Sequence, residues 1–249
     1  MLLVVSLISI INNRENPNDT GCCKSQALCY LPILFSYDFP SFLQHFFRSG
    51  DPNSYYSDPL FFLSTSIHLV LPQNKMHVIL LDSDLFFQAD IKQLFAQFDK
   101  FKSTNIFGLA REQQPVYRHV LHMFRDRHPG TKVGGPPPDG LTGFNSGVVL
   151  INLHNMRSSK LYNKLLRGSI VKEIASKYTF QGHLGDQDFY SLLNLDYPEL
   201  FHVLPCSWNR QLCTWWRDKG YAEVFDSYFN CSEPIHVYHG NCGTKMPNE

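Results

Sequence analysis

The sequence predicts an α/β fold: a mostly parallel central sheet flanked by helices. Three observations lead there. Val78-Ile79-Leu80-Leu81 and Val148-Val149-Leu150-Ile151-Asn152-Leu153 are short, nearly unbroken apolar runs, the pattern of strands covered on both faces. Segments with apolar residues at helical spacing alternate with such runs. Polar clusters stand where strands should end, namely Asp82-Ser83-Asp84, Asn145-Ser146-Gly147 and His239-Gly240-Asn241. Ligands of open α/β sheets bind at the carboxyl ends of strands.

The elements follow in order. Met1-Leu2-Leu3-Val4-Val5-Ser6-Leu7-Ile8-Ser9-Ile10-Ile11 is apolar but far short of the roughly 18 to 20 residues that span a bilayer. No basic flank precedes it, so it reads as a buried strand, and no anchor or targeting signal is expected within this chain. Leu60 to Leu71 has helical periodicity, and Pro72 closes it. Val78–Leu81 is then a buried parallel strand. Asp90 caps a helical turn over Ile91-Lys92-Gln93-Leu94-Phe95. Ile106-Phe107-Gly108-Leu109-Ala110 is the next strand. Residues 128–143, with Gly134-Gly135-Pro136-Pro137-Pro138, form a loop. Phe144 to Gly147 leads into the second strongly buried strand. One helix covers Lys160 to Lys177, and Gly185-Asp186-Gln187-Asp188 opens another. Phe201–Leu204 and Ile235–Gly240 are the last strands.

The 249 residues suffice for one large α/β domain, and 14% of them are aromatic, which fits deep clefts and large core side chains. Twenty-two basic residues balance 22 acidic ones, without a basic run. That excludes a nucleic-acid binder held by phosphate neutralisation. Of seven cysteines, Cys206, Cys213, Cys231 and Cys242 fall late and lack CxxC spacing, so disulfides are expected rather than a zinc site. Four cysteines allow three pairings, and spacing does not choose among them. With sequons at Asn18 and Asn230, they point to a secretory-pathway lumen. Trp215 and Trp216 read as core.

Four constellations carry chemistry. Asp82 and Asp84, one residue apart after a buried strand, can share a hard divalent cation with substrate phosphates. A phosphatase using the same spacing would want Thr where this chain has Phe86. His239 can join carboxylates on such a cation through a neutral imidazole. Asp186 and Gln187 at a helix start can hold sugar hydroxyls. Asn145-Ser146-Gly147 combines an amide with small residues that let a ligand approach the backbone.

Order and content of these clusters resemble the family-eight retaining glycosyltransferases of GT-A fold, whose nucleotide-diphospho-sugar-binding sheet matches the predicted architecture. The matching text is Asp82-Ser83-Asp84, Phe144 to Leu153, Gly185-Asp186-Gln187-Asp188 and His239-Gly240. Tyr55-Tyr56-Ser57-Asp58, Trp208 to Arg217 and Val237 to Cys242 place the chain nearest the family's xylosyltransferases. The resemblance covers roughly residues 54–249 as a catalytic domain and leaves 1–53 as a non-matching or divergent segment. The first nucleotide-binding unit is accordingly expected to be partly missing.

The resemblance implies transfer of xylose from UDP-xylose to an O-linked xylosyl-glucose on EGF-like repeats of Notch-type proteins, through an α1,3 bond with retention. It implies Mn2+, or Mg2+, held by Asp82, Asp84 and His239 against the diphosphate. Asn145, Ser146 and Asp186 would position the sugar, with Gln187 near the anomeric carbon and Asp186 beside it as the catalytic pair. Ser83, Asn209, Gly240 and Asn241 would complete donor binding, and Lys245 stands six residues after the metal histidine, where relatives touch the diphosphate. The setting implied is the endoplasmic reticulum, with a luminal catalytic domain tethered by an anchor outside this chain. Two other readings stay open: a catalytically silent binding or scaffold protein, and a related glucosyl- or galactosyltransferase.

Overall fold

Strict alternation along the apolar runs decides which side chains meet in the core, because successive strand residues point to opposite faces. The structure is a computed structural model that describes Phe47 and residues 62–247. The N-terminal apolar run, Cys22, Cys23, Cys29, the Asn18 sequon, Tyr55 to Asp58 and the expected helix start at Leu60 lie outside those residues.

The strands are β1 (His77–Leu81), β2 (Leu85–Phe87), β3 (Phe107–Arg111), β4 (Phe144–Asn152), β5 (Phe201–Leu204), β6 (Arg210–Gln211) and β7 (Val237–His239). They form a four-stranded sheet of order β1-β4-β3-β5 and a three-stranded sheet of order β2-β7-β6. The helices are α1 (Leu63–Ser66), α2 (Ile91–Phe95), α3 (Val116–Val120), α4 (His122–Arg127), α5 (Leu153–Ser158), α6 (Lys160–Leu165), α7 (Gly168–Tyr178), α8 (Asp186–Asp196) and α9 (Ala222–Phe229).

In β4, Val149 and Ile151 enter a large core shared with α5 to α8, whereas Val148 and Leu150 enter a smaller core with Leu94, Phe98, Trp208 and Val237. β1 divides likewise, Val78 to one side and Ile79 to the other. Each such side chain contributes about 1.5–3 kcal/mol relative to exposure. Phe47 is buried in the larger core and meets Phe180 and Phe189 edge-on, with ring centroids 6.0 and 6.2 Å away.

Strand direction corrects the expectation of a mostly parallel sheet. Among the described residues, β1 and β3 both run antiparallel to β4, and β2 runs antiparallel to β7. The parallel pairs are β3–β5 and β6–β7. Val78–Leu81 is thus a strand, as expected, but an antiparallel one. An unbroken apolar run records that both faces are covered; it carries no record of the neighbour's direction.

Several local expectations hold. Asp90 caps α2, its carboxylate accepting from the Lys92 N–H at 2.8 Å. The helix expected over Lys160–Lys177 is instead two, broken where Arg167 is extended ahead of Gly168. Leu165 and Val171 are both core residues, so the apolar rhythm continues across the break and hides it. The late cysteines pair as Cys206–Cys231 and Cys213–Cys242. Trp216 packs against the larger core, but Trp215 is 53% exposed, which corrects its assignment to the core. The two rings stand 86° apart on a tight turn that aims neighbouring residues differently. Among the described residues no helix is long and apolar enough to cross a membrane.

A candidate metal and donor site

The connection between β1 and β2 carries Asp82-Ser83-Asp84 from one sheet to the other. Two backbone bonds fix it: the Asp82 N–H donates to the Gly147 carbonyl at 2.9 Å, and the Gly240 N–H donates to the Asp84 carbonyl at 2.8 Å. The register of β2 on β7 sets Leu85 opposite His239. Asp84 and His239, 155 positions apart in the sequence, are thereby brought to one place.

Among the described residues, Asp82, Asp84 and His239 place ligand atoms within 4.8 Å of one another. His239 Nε2 lies 3.5 Å from Asp82 Oδ2 and 3.4 Å from Asp84 Oδ1. The imidazole is buried, whereas the carboxylate side chains are 53% and 46% exposed, so the cluster opens to solvent on its acidic side. The facing imidazole holds the Asp84 carboxyl below its ordinary range. The protein packed against the half-exposed Asp82 pushes its carboxyl upward, opposed by His239 and aided by the Asp84 charge.

Geometry and chemistry fit a divalent cation. His239 Nδ1 is 3.0 Å from Asn209 Oδ1, which assigns the proton to Nδ1 and turns the Nε2 lone pair to the carboxylates. A Cβ on Gly147 would lie 2.3 Å from His239 Cε1, so the ring occupies space that only glycine leaves. Two carboxylates with one imidazole make a hard, oxygen-rich donor set.

Behind this opening lies a buried polar corner drawn from β4, α8 and the turn that leads into β6. Asn145, Asp186, Gln187 and Asn209 are all buried. Asn209 Nδ2 donates to Asn145 Oδ1 at 2.9 Å, and that oxygen also accepts from the Gly147 N–H at 3.0 Å. Gln187 Oε1 accepts from the Ser146 N–H at 3.2 Å. Asp186 accepts from the Ser64 hydroxyl, and burial pushes its carboxyl up to about 7. The N-cap of α8 is Gly185, whose φ of 65° is a glycine conformation, and no side chain caps the helix. Asp186 is therefore not an N-cap. Asp188 instead accepts from the His183 and Leu184 N–H groups and from the Tyr117 hydroxyl, stapling the loop ahead of the helix.

The remaining expected residues fall around this cleft. Ser83 is exposed between the two aspartates. Gly240 follows His239, and a Cβ there would come within 2.7 Å of the Thr244 carbonyl. Asn241 Oδ1 accepts from the Leu212 and Cys213 N–H groups at 3.0 and 2.9 Å, so its carbonyl end holds the neighbouring loop. Lys245 is exposed near the end of the described chain. Two residues that the sequence reading passed over belong here. Glu112, 2% exposed, receives hydrogen bonds from Asn145 Nδ2 and Gln187 Nε2, both at 3.2 Å. Tyr117 donates to Asp188 at 2.9 Å. The one signal for Glu112 was its place directly after a buried strand.

The comparisons with known proteins are consistent with this geometry. The family model described as Glycosyl transferase family 8 matches residues 24–245. Xyloside xylosyltransferase 1 of Homo sapiens is 53% identical over 207 residues, covering 83% of this chain and 52% of the relative. Xylosyl- and glucuronyltransferase LARGE2s of Gallus gallus is 31% identical over 255 residues, 98% of this chain and 32% of the relative. The crystal structure of mouse xyloside xylosyltransferase 1 in its apo form aligns with a TM-score of 0.80 at 50% identity, covering 88% of this chain and 73% of that one. The chain spans about half the length of the human relative, 52%.

Proposed function

Because the chain belongs to glycosyl transferase family 8, as the match over residues 24–245 shows, we propose that it transfers xylose from UDP-xylose. The acceptor in this reading is an O-linked xylosyl-glucose on EGF-like repeats of Notch-type proteins, and the bond is α1,3 with retention. The fold is the GT-A fold of its relatives. The observation that carries the reading is the 53% identity to a xyloside xylosyltransferase across most of the chain. The Asp82–Asp84–His239 cluster supports it by offering a place for the donor's diphosphate.

Asp82, Asp84 and His239 would hold Mn2+, with Mg2+ the alternative. Such an ion offsets the charge that grows on a leaving diphosphate. Asp186, Asn145 and Ser146 line the adjoining corner, where carboxylate, amide and hydroxyl groups can orient sugar hydroxyls. Gln187 has its carbonyl oxygen on the Ser146 N–H and its amide nitrogen on Glu112. An amide engaged at both ends is a poor nucleophile. That favours a front-face displacement: the acceptor hydroxyl attacks on the side the diphosphate leaves and passes its proton to the departing oxygen. Asn209, buried behind His239, acts through the imidazole. The two disulfides favour an oxidising lumen, for which we propose the endoplasmic reticulum.

Calorimetric titration of the chain with UDP-xylose, with and without Mn2+, tests this reading. Binding that requires Mn2+, followed by transfer to a xylosyl-glucose acceptor, is expected. A folded chain that binds no UDP-xylose would remove the donor assignment, and equal use of UDP-glucose would remove the sugar assignment.

A further inference from the structure

Glu112 stands just past β3, and its carboxylate is an acceptor without a donor of its own. Oε2 takes both the Asn145 and Gln187 amide nitrogens at 3.2 Å, and Oε1 takes the Gln114 N–H at 3.1 Å. The far ends of the two amides face donors: Asn145 Oδ1 receives the Gly147 N–H and Asn209 Nδ2, and Gln187 Oε1 receives the Ser146 N–H. Each amide thus has its NH2 towards Glu112 and its carbonyl towards the cleft backbone. Turning either over would set NH2 against N–H at one end and oxygen against carboxylate at the other. The orientation passes outward. With Asn145 Oδ1 facing Asn209 Nδ2, Asn209 Oδ1 is left for His239 Nδ1, and His239 Nε2 faces the aspartates.

We propose that Glu112 is a positioning residue for transfer: buried behind the donor site, it locks the Gln187 and Asn145 amides in the orientation the reaction uses. This deepens the donor-site reading above and rests on it. Burial pushes the Glu112 carboxyl up to about 7, so the lock is complete only above that pH: a proton on Glu112 would present a donor of its own and loosen it. A glutamine would set an NH2 against a donor whichever way it turned, either the Gln114 N–H or the two amides.

The test is a cycle of Glu112→Gln, Gln187→Ala and the double variant in the full chain, with UDP-xylose turnover as readout. Glu112→Gln is expected to lower kcat about 10²-fold, the scale of a mispositioned group. Mn2+-dependent affinity for UDP alone should fall less than kcat does, since it draws on the Asn145–Asn209–His239 chain but not on the Gln187 amide. In the Gln187→Ala background, Glu112→Gln should cost less than about threefold more. An equal loss in both backgrounds, or near-parent turnover by Glu112→Gln, overturns the proposal. A second readout needs no turnover: the side-chain amide resonances of Gln187 and Asn145 in 15N-labelled chain. They should move in Glu112→Gln, return at least in part in Glu112→Asp, and stay put in the exposed control Glu223→Gln. Resonances unmoved by Glu112→Gln overturn the lock. If the parent fails to bind or turn over the donor, the functional reading falls while these resonances still report on the lock.

Discussion

The acidic corner and the amide corner of the cleft touch at His239, yet they are built in opposite ways. Asp82 and Asp84 are neighbours in sequence, half exposed, and held by main-chain bonds to Gly147 and Gly240. Glu112, Asn145 and Gln187 are buried and come from separate parts of the chain, and Glu112 holds both amides side chain to side chain; Asp186, next to Gln187, is buried too and accepts from Ser64. The first corner offers ligands to something from outside. The second satisfies its own polar groups, since a buried polar atom without a partner costs about 1–3 kcal/mol. A side chain at the acidic corner should therefore be removable without harm to the fold, and one at the amide corner should not.

The largest effect expected is on activity. Asp84→Ala removes a ligand whose side chain is 46% exposed and leaves the backbone bonds of that turn in place. Turnover should drop about 10³-fold or more, since metal charge stabilisation is worth several kcal/mol. The urea midpoint without metal should hardly change. A large stability loss would break the comparison. Next is Asp188→Ala, which strips the His183 and Leu184 N–H groups and the Tyr117 hydroxyl of their buried acceptor. We expect a loss of about 3–5 kcal/mol in denaturant unfolding. A change under about 1 kcal/mol would mean that water replaces the carboxylate and that this end of α8 is not closed.

Gly147→Ala probes the join between the corners. Its Cβ would fall 2.3 Å from His239 Cε1 and 3.1 Å from Asn145 Oδ1. The imidazole must shift, at a cost of about 1–3 kcal/mol for an overpacked contact. Mn2+ affinity should weaken about 10- to 100-fold as Nε2 leaves the carboxylates. Isothermal titration with Mn2+ reads this directly. Unchanged affinity would show that the ring relaxes freely and that the two corners are independent.

The same contrast explains what could be read in the sequence. Asp82-Ser83-Asp84 is local text after an apolar run, and the faces of β1 and β4 follow from period-2 burial. His239 and the α8 opening were legible because each stands at an element's end. Strand direction was not, since Val78–Leu81 would look the same beside a parallel neighbour. Glu112 was hidden because Arg111-Glu112-Gln113-Gln114 is ordinary polar text, and its partner Gln187 is 75 residues away. Nor could spacing choose Cys206–Cys231 and Cys213–Cys242 over the other pairings: that choice depends on β6 and β7 lying side by side.

Titration gives the smallest effect, and it sets Asp84, held below its ordinary range by His239, against the carboxyls that burial raises. Burial pushes the carboxyls of Glu112 and Asp186 up to about 7, from ordinary values of 4.5 and 3.8. Each binds its proton more tightly in the folded chain than in the unfolded one. Stability from these groups is therefore complete below about pH 4 and lost as pH rises to about 7, on the order of 1–3 kcal/mol per group. Melting of the metal-free chain should fall between about pH 5 and pH 7.5, and Glu112→Gln should flatten part of that slope. Added Mn2+ should stabilise more as pH rises, because its ligands must lose their protons to bind. A metal-free melting temperature that rises across this range would show that the buried carboxylates gain more from the amides facing them than burial takes away. The amides would then stabilise charge on Glu112 as His239 does on Asp84, and the division between the corners would fail.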